Sequence, residues 1–152
     1  MTRTTRTTAV LAAVACIALA PATIAAQPKP VADASSVTVT AKYAGKSMVD
    51  ANHRIWVWLF DTPEIGPGSI PIGEMSIEKN GGTATFPGVA TKQVYIAAAY
   101  DETGGFLGQA PPPVGSPIAF YGVKAATDKP MAVVPGAQGA VTITFTDAQR
   151  MQ

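Results

Sequence analysis

Apolar residues alternate with polar residues over much of the chain after residue 36, as expected of half-buried β-strands. In the segment 37–43, valine, alanine and tyrosine point one way while threonine and lysine point the other, and the segment 141–145 repeats this pattern. The segments 55–60 and 94–100 are rich in β-forming residues on both faces. Both are predicted to be strands, and the segment 55–60 is predicted to be either a central strand covered on both faces or a strand with an aromatic outer face.

Four shorter segments complete the predicted strands. The segments 72–78 and 83–86 flank Asn80-Gly81-Gly82, and an Asn-Gly pair between β-forming runs predicts a hairpin. The segments 118–123 and 131–134 have the character of edge strands. The segments 61–71 and 101–117 are dense in glycine and proline and are predicted to be loops, the second long enough to suggest a functional role.

No apolar period of 3.6 residues persists for three turns after residue 26. Seven or eight short strands separated by turns favour two packed sheets. The predicted fold is therefore an all-β, antiparallel sandwich of immunoglobulin-like or prealbumin-like topology, over residues 36–152. Its core is predicted to consist of aliphatic and aromatic strand residues, namely Val37, Val39, Ile55, Val57, Leu59, Ile96, Val141, Ile143 and Phe145.

Residues 1–26 have the three parts of a secretory signal peptide. Arg3 and Arg6 precede an apolar stretch from residue 9 to residue 20, and small residues follow before Gln27. Export to the periplasm or the medium is the favoured interpretation, with residues 27–35 as a proline-containing tether. Two alternatives stay open, namely a buried N-terminal helix and lipidation at Cys16.

Composition excludes several classes of function. Removal of residues 1–26 would leave 9 Lys and Arg against 10 Asp and Glu, no cysteine and one histidine. Without a basic patch, a nucleic-acid partner is not expected. The residues that thiol, zinc and catalytic-triad chemistry need are missing from this part of the sequence. His53 is the single candidate base, and we interpret it as a solvated turn histidine. No cofactor, no enzymatic activity and no membrane span in the mature chain are expected.

One row of aromatic residues is a candidate ligand-binding surface. Trp56, Trp58 and Phe60 share one face of the predicted strand 55–60, and Tyr95 from the next apolar strand is a candidate neighbour. Flat rings in a row suit sugar stacking or the docking of a protein. The competing interpretation is that the loop 61–71 or the loop 101–117 covers them, and it is the one we favour.

A calcium site is a second candidate. Asp101, Glu102 and Thr103 offer oxygen ligands in one loop, and Asp61 and Glu64 could add carboxylates if the two loops meet. The alternative is that these are solvated loop acids.

Five motifs follow one another along the chain, namely GTATFPGV at 82–89, VYIAAAYD at 94–101, Gly104-Gly105, the Gly-Ser-Pro at 115–117 and Tyr121-Gly122. They carry a resemblance to carboxypeptidase-regulatory-like, or prealbumin-like, domains and to uncharacterised secreted bacterial relatives. It implies a sandwich fold and a non-catalytic module. Prealbumin-fold hydrolases of the hydroxyisourate type rely on more than one histidine, whereas this chain has one.

The favoured function is thus a secreted or periplasmic, non-catalytic β-sandwich that acts as an accessory or interaction module with an unknown protein or carbohydrate partner. The alternative is a carbohydrate- or small-ligand-binding protein that uses the aromatic strand face and the loops rich in glycine and proline.

Overall fold

Alternating and doubly apolar segments form strands where the sequence predicts them. The computed structural model describes residues 35–125 and 128–152, so the predicted signal peptide, Cys16 and residues 27–34 of the tether lie outside the described residues. The strands are β1 (Val37–Tyr43), β2 (Ile55–Phe60), β3 (Gly73–Ile77), β4 (Thr83–Phe86), β5 (Tyr95–Tyr100), β6 (Ile118–Phe120) and β7 (Val141–Phe145). The described residues contain no helix, which confirms the all-β prediction.

The strands form a three-stranded sheet, in the order β4-β1-β7, and a four-stranded sheet, in the order β3-β2-β5-β6. All but one of the strand pairs are antiparallel, as predicted. The exception is β1 with β7, which run parallel with Val39 opposite Val141 and Tyr43 opposite Phe145. The fold is therefore a mostly antiparallel β-sandwich.

The inner faces of the two sheets enclose one core cluster. From β2 it takes Ile55, Val57 and Leu59, each at most 1% exposed, while the remaining predicted core residues come from β1, β5 and β7. Because side chains alternate along a strand, the inward position of these three aliphatic residues turns Trp56 and Trp58 outward. The predicted core composition is confirmed.

The predicted hairpin around Asn80-Gly81-Gly82 is wrong. β3 pairs with β2 and β4 pairs with β1, so the turn carries the chain from one sheet to the other. The turn bonds to the end of β1 instead of closing a ladder: the Gly81 N–H donates to the Ala41 carbonyl, and the Asn80 amide bonds both backbone groups of Tyr43. An Asn-Gly signal predicts the tight turn but not the partners of the strands beside it.

Of the two predicted edge strands, one is shorter than expected and the other does not form. Of the segment 118–123, only Ile118–Phe120 forms a strand, because Gly122 has a positive φ of 81° and ends the ladder. The segment 131–134 is not a strand and contributes a single bridge between Val133 and Val94.

One end of the core holds a pair of stacked tyrosines. The rings of Tyr43 and Tyr100 lie 4.2 Å apart between centroids. The Tyr43 hydroxyl donates to Asp147, and the Tyr100 hydroxyl donates to the Met48 carbonyl over 2.8 Å. Burial raises the pKa of both phenols, and the hydrogen bond to Asp147 raises that of Tyr43 further.

Candidate functional site

The predicted aromatic row forms a second apolar layer on the outer face of the four-stranded sheet. Trp56, Trp58, Phe60 and Tyr95 all belong to it, and all four are buried, Trp58 to 2% exposure. The rings are therefore covered, as the favoured interpretation of this strand predicts, and they do not form an open platform. Whether they bind a ligand stays a prediction.

The cover over the two tryptophans comes from the long loop 101–117. The Phe106 ring meets Trp56 edge-on at 5.7 Å and Trp58 at 6.2 Å between centroids. The Gly108 carbonyl accepts a hydrogen bond of 2.6 Å from the Trp58 indole N–H. A side chain at Gly108 would collide with the Trp56 ring, and its φ of +93° also favours glycine. Glycine at this position lets the backbone lie directly on the indole.

The cover leaves a hollow beside Trp58. In register across the sheet, Trp58 on β2 lies opposite Ala97 on β5, and Ala97 lies opposite Phe120 on β6. The Ala97 methyl group is much smaller than the rings on either side of it, so a trough lies between Trp58 and Phe120. This trough belongs to a cavity of about 320 Å³. That volume falls within the range of small-molecule sites, roughly 300–1,000 Å³.

Apolar groups line most of this cavity. Its floor is the outer face of the sheet, and its other walls are the loop 61–71, the prolines of the loop 101–117 and the segment 149–152. The lining includes Phe60, Ile65, Ala110, Pro111, Pro112, Ile118 and Met151 besides the row across the sheet. The polar side chains in the lining are Ser69, Gln149, Arg150 and Gln152. An apolar hollow with few polar groups is the usual character of a ligand site.

Residues 149–151, called the strap below, form part of the cavity wall and bond to the edge of β6. The Ile118 N–H donates to the Gln149 carbonyl over 3.0 Å, and Gly115 and Ser116 exchange backbone hydrogen bonds with Met151. The side chain of Arg150 holds the strap in place. Its guanidinium donates to both carboxylate oxygens of Glu102, at 2.6 and 3.1 Å, and to the Gly115 carbonyl.

The predicted calcium ligands have other partners. The buried Asp101 carboxylate accepts hydrogen bonds from Thr103, from the Gly104 N–H and from the Phe106 N–H, so it organises the loop. Glu102 pairs with Arg150. Within residues 35–125 and 128–152, no three His, Cys, Asp or Glu side chains come together as a metal site. The geometry therefore favours the alternative of loop acids, here with structural partners.

The second loop does not add its acids to that place. Glu64 accepts from the Thr62 hydroxyl and pairs with Lys129 at 3.3 Å. These contacts lower its pKa, the Thr62 hydrogen bond most. Glu64 thus joins the loop 61–71 to the segment that follows residue 127.

The predicted turn histidine lies in a turn before β2. The His53 Nδ1 is 3.2 Å from the Asp50 carboxylate, and the imidazole is about 38% exposed. Backbone N–H groups of His53 and Asn52 donate to the same carboxylate and lower the pKa of Asp50. The contacts are those of a turn held by an aspartate.

The sequence reasoning missed the cavity, although it named two of its walls, Trp58 and Phe60. The missed residues are Ala97, Phe120 and the strap. A signal for the trough was present: Ala97-Ala98-Ala99 stands in the middle of a strand, where alanine is disfavoured and β-branched residues are usual. Small side chains on the outer face of a covered strand mark a place where other atoms approach.

No known protein family, curated protein or solved structure matches the chain. The resemblance to carboxypeptidase-regulatory-like domains therefore stays a prediction. In the part of the chain that the structure describes, no helix has the length and apolar character needed to cross a bilayer. What the fold and the site define is a β-sandwich with an apolar cavity on its outer face.

Proposed function

We propose that this chain is a non-catalytic binding module that takes a small, largely apolar ligand into the cavity between Trp58, Ala97 and Phe120. The observation that carries the proposal is the cavity itself, because an outer sheet face covered by loops would ordinarily be filled by side chains. The proposal takes up the alternative drawn from the sequence, small-ligand binding by the aromatic strand, and the cavity supports it.

The chemistry of the lining supports a binding role over a catalytic one. Among the described residues, none that lines the cavity is His, Cys, Asp or Glu, the groups that supply most general acids, bases and nucleophiles. The hydroxyl of Ser69 accepts from the Gly66 N–H and donates to the Glu64 carbonyl, so its hydrogen bonds are made to the backbone of its own loop.

A carbohydrate is a weaker candidate than an apolar ligand. Sugars stack on exposed ring faces and need several hydrogen-bonding partners, whereas the rings here are covered and the polar side chains of the lining are few. A sugar is therefore kept as an outcome that the experiment below can return.

The proposed setting is the periplasm or the extracellular medium, and support comes from the signal-peptide pattern of residues 1–26. The resemblance to carboxypeptidase-regulatory-like domains supports the same proposal, because such domains are usually accessory modules. Intact-mass measurement of the exported product tests the setting. A product that begins near Gln27 supports it, and a diacylglyceryl group on Cys16 overturns the freely diffusing form.

The binding experiment uses a neutral apolar dye, N-phenyl-1-naphthylamine, whose emission rises in an apolar site. Wild-type protein should enhance the emission saturably, and Ala97→Leu should weaken binding at least tenfold by filling the trough. Thr142→Leu is the matched control, since Thr142 is exposed on β7 of the other sheet. Equal binding by both variants, or binding of oligosaccharides and not of the dye, would overturn the proposal.

The two tryptophans locate the bound dye. The chain contains only these two, so Trp56→Phe leaves Trp58 as the single reporter and Trp58→Phe leaves Trp56. Trp58 lines the cavity and Trp56 does not. The emission maximum of the Trp58 reporter should shift with dye, while that of the Trp56 reporter should stay in place.

A further inference from the structure

The shape and charge of the cavity restrict the class of ligand, and this step rests on the proposed function. We infer that the cavity selects an uncharged, flat aromatic ligand that carries one hydrogen-bonding group. The inference follows from three features of the lining, which are the width of the trough, the state of its single charged side chain and a polar group at its rim.

The trough is about one ring layer wide. Trp58 and Phe120 are separated by one intervening strand, so their backbones lie roughly 10 Å apart at the usual spacing of strands. Atoms in contact need roughly 3.5–4.0 Å on each side. A single layer of ligand atoms fits between the two walls above Ala97, and a bulky cage does not.

Arg150, the single charged residue among the described residues of the lining, offers no free charge to an anion. Both terminal nitrogens of Arg150 bond the Glu102 carboxylate, and one of them lies 3.6 Å from Asp147. A ligand carboxylate would compete with these carboxylates for a guanidinium that they already neutralise. It would also lose its hydration among apolar walls, which is costly without a partner.

A positively charged ligand would also lose its hydration without finding an opposite charge. Among the described residues no side-chain carboxylate lines the cavity, so an ammonium group would enter apolar surroundings without a side-chain counter-charge. Ring faces attract cations, but the carbon chain that carries the ammonium group would still have to leave water along Pro111 and Ile65. The lining therefore favours a neutral ligand over either charged form.

One polar group at the rim has hydrogen-bonding capacity to spare. The side-chain amide of Gln149 is exposed and makes no hydrogen bond among the described residues, while its backbone carbonyl is used by the strap. An amide both donates and accepts, so it suits a phenolic hydroxyl or a ring N–H. The ring would then lie over Ala97 with its polar edge toward the strap.

The experiment compares three probes on the full chain, with chemical shifts of backbone amides and alanine methyls as the readout. 2-Naphthol is flat and neutral, 2-naphthoate has the same ring with a negative charge at neutral pH, and 1-adamantanol is neutral but not flat. We expect 2-naphthol to bind at least tenfold more tightly than either other probe, with the largest shifts at Ala97 and Ile118. Ala97→Leu should abolish this preference, while Thr142→Leu should keep it.

Gln149→Ala tests the rim contact separately. It should weaken 2-naphthol about three- to tenfold, and it should leave naphthalene, which has no polar group, unchanged. Gln138→Ala is the matched control, since Gln138 is likewise exposed but does not line the cavity.

The outcomes separate this inference from the proposed function. Binding of 2-naphthoate or 1-adamantanol in the cavity as tightly as 2-naphthol overturns the ligand class and leaves the binding function standing. Absence of binding by all three probes and by the neutral dye overturns both.

Discussion

Strand β2 separates two apolar layers that are covered in different ways. On its inner face Ile55, Val57 and Leu59 meet the other sheet, and each is at most 1% exposed. On its outer face the rings meet loops, where Phe106 and Ile65 are only half-buried. The Trp56 indole N–H is buried there and has no hydrogen-bond partner among the described residues. A sheet covers an apolar face completely because its side chains repeat in register. Loops rich in glycine and proline leave gaps, and the cavity is one of these gaps.

The largest contrast is expected between truncations in the two layers. Leu59→Ala removes a side chain packed between the sheets and should lower the free energy of unfolding by about 2–5 kcal/mol. Phe106→Ala removes a half-buried ring and should cost about 1–2 kcal/mol, because only part of its area leaves water on folding. Urea unfolding measures both. Equal losses would mean that the loop cover is as integral to the fold as the inter-sheet core.

A smaller effect is expected where the loop backbone touches the indole. Gly108→Ala places a methyl group against Trp56 and strains a residue at positive φ, so a loss of about 1–3 kcal/mol is expected. Gly105→Ala is the control for strain alone, since its φ is +87° and open space surrounds it. The excess loss at Gly108 isolates the contact with Trp56. Identical losses would show that the loop moves away from the ring at no cost.

The inner layer could be predicted from the sequence, and the outer one only in part. Alternation in the segment 37–43 and the aliphatic positions of 55–60 fix which residues face the other sheet, because a strand has only two faces. The partners of β3 and β4 could not be predicted, since Asn80-Gly81-Gly82 specifies a turn and tertiary contacts decide what it joins. The cavity could not be predicted either, because it depends on Ala97 lying beside Phe120, residues that are far apart in the chain.

The strap should respond more weakly still. Glu102→Gln removes the charge that holds Arg150, and a partly exposed pair of this kind contributes about 0–1 kcal/mol. Global stability should hardly change, but the Ile118 and Met151 amides, which bond across the strap, should exchange with solvent faster. Glu64→Gln, in the pair with Lys129, is the matched control. Unchanged exchange at Ile118 would show that the backbone bonds alone hold the strap.

The stacked pair of Tyr43 and Tyr100, at one end of the inner layer, should have the smallest effect on stability at neutral pH. The folded state raises the pKa of Tyr43 and Tyr100, so the unfolded chain releases their protons first as pH rises. The contribution of these two phenols to stability should be constant below about pH 10, the ordinary pKa of tyrosine, and should fall above it. Thermal unfolding followed from neutral to alkaline pH measures this fall. Tyr43→Phe should reduce its slope, and a slope equal to that of the wild type would remove Tyr43 as its cause.

The parallel pairing of β1 with β7 has a consequence for how the chain acquires its fold. The earliest strand of the sandwich has its longest ladder with the latest one, so about a hundred residues separate partners such as Val39 and Val141. Contacts of such separation in sequence slow folding, because a large loop must close before they form. The three-stranded sheet is incomplete until residue 145 has been synthesised and is free to pair. Until then β1 has only β4 beside it in its sheet, and the apolar core residues that pack against Val141, Ile143 and Phe145 lack that cover.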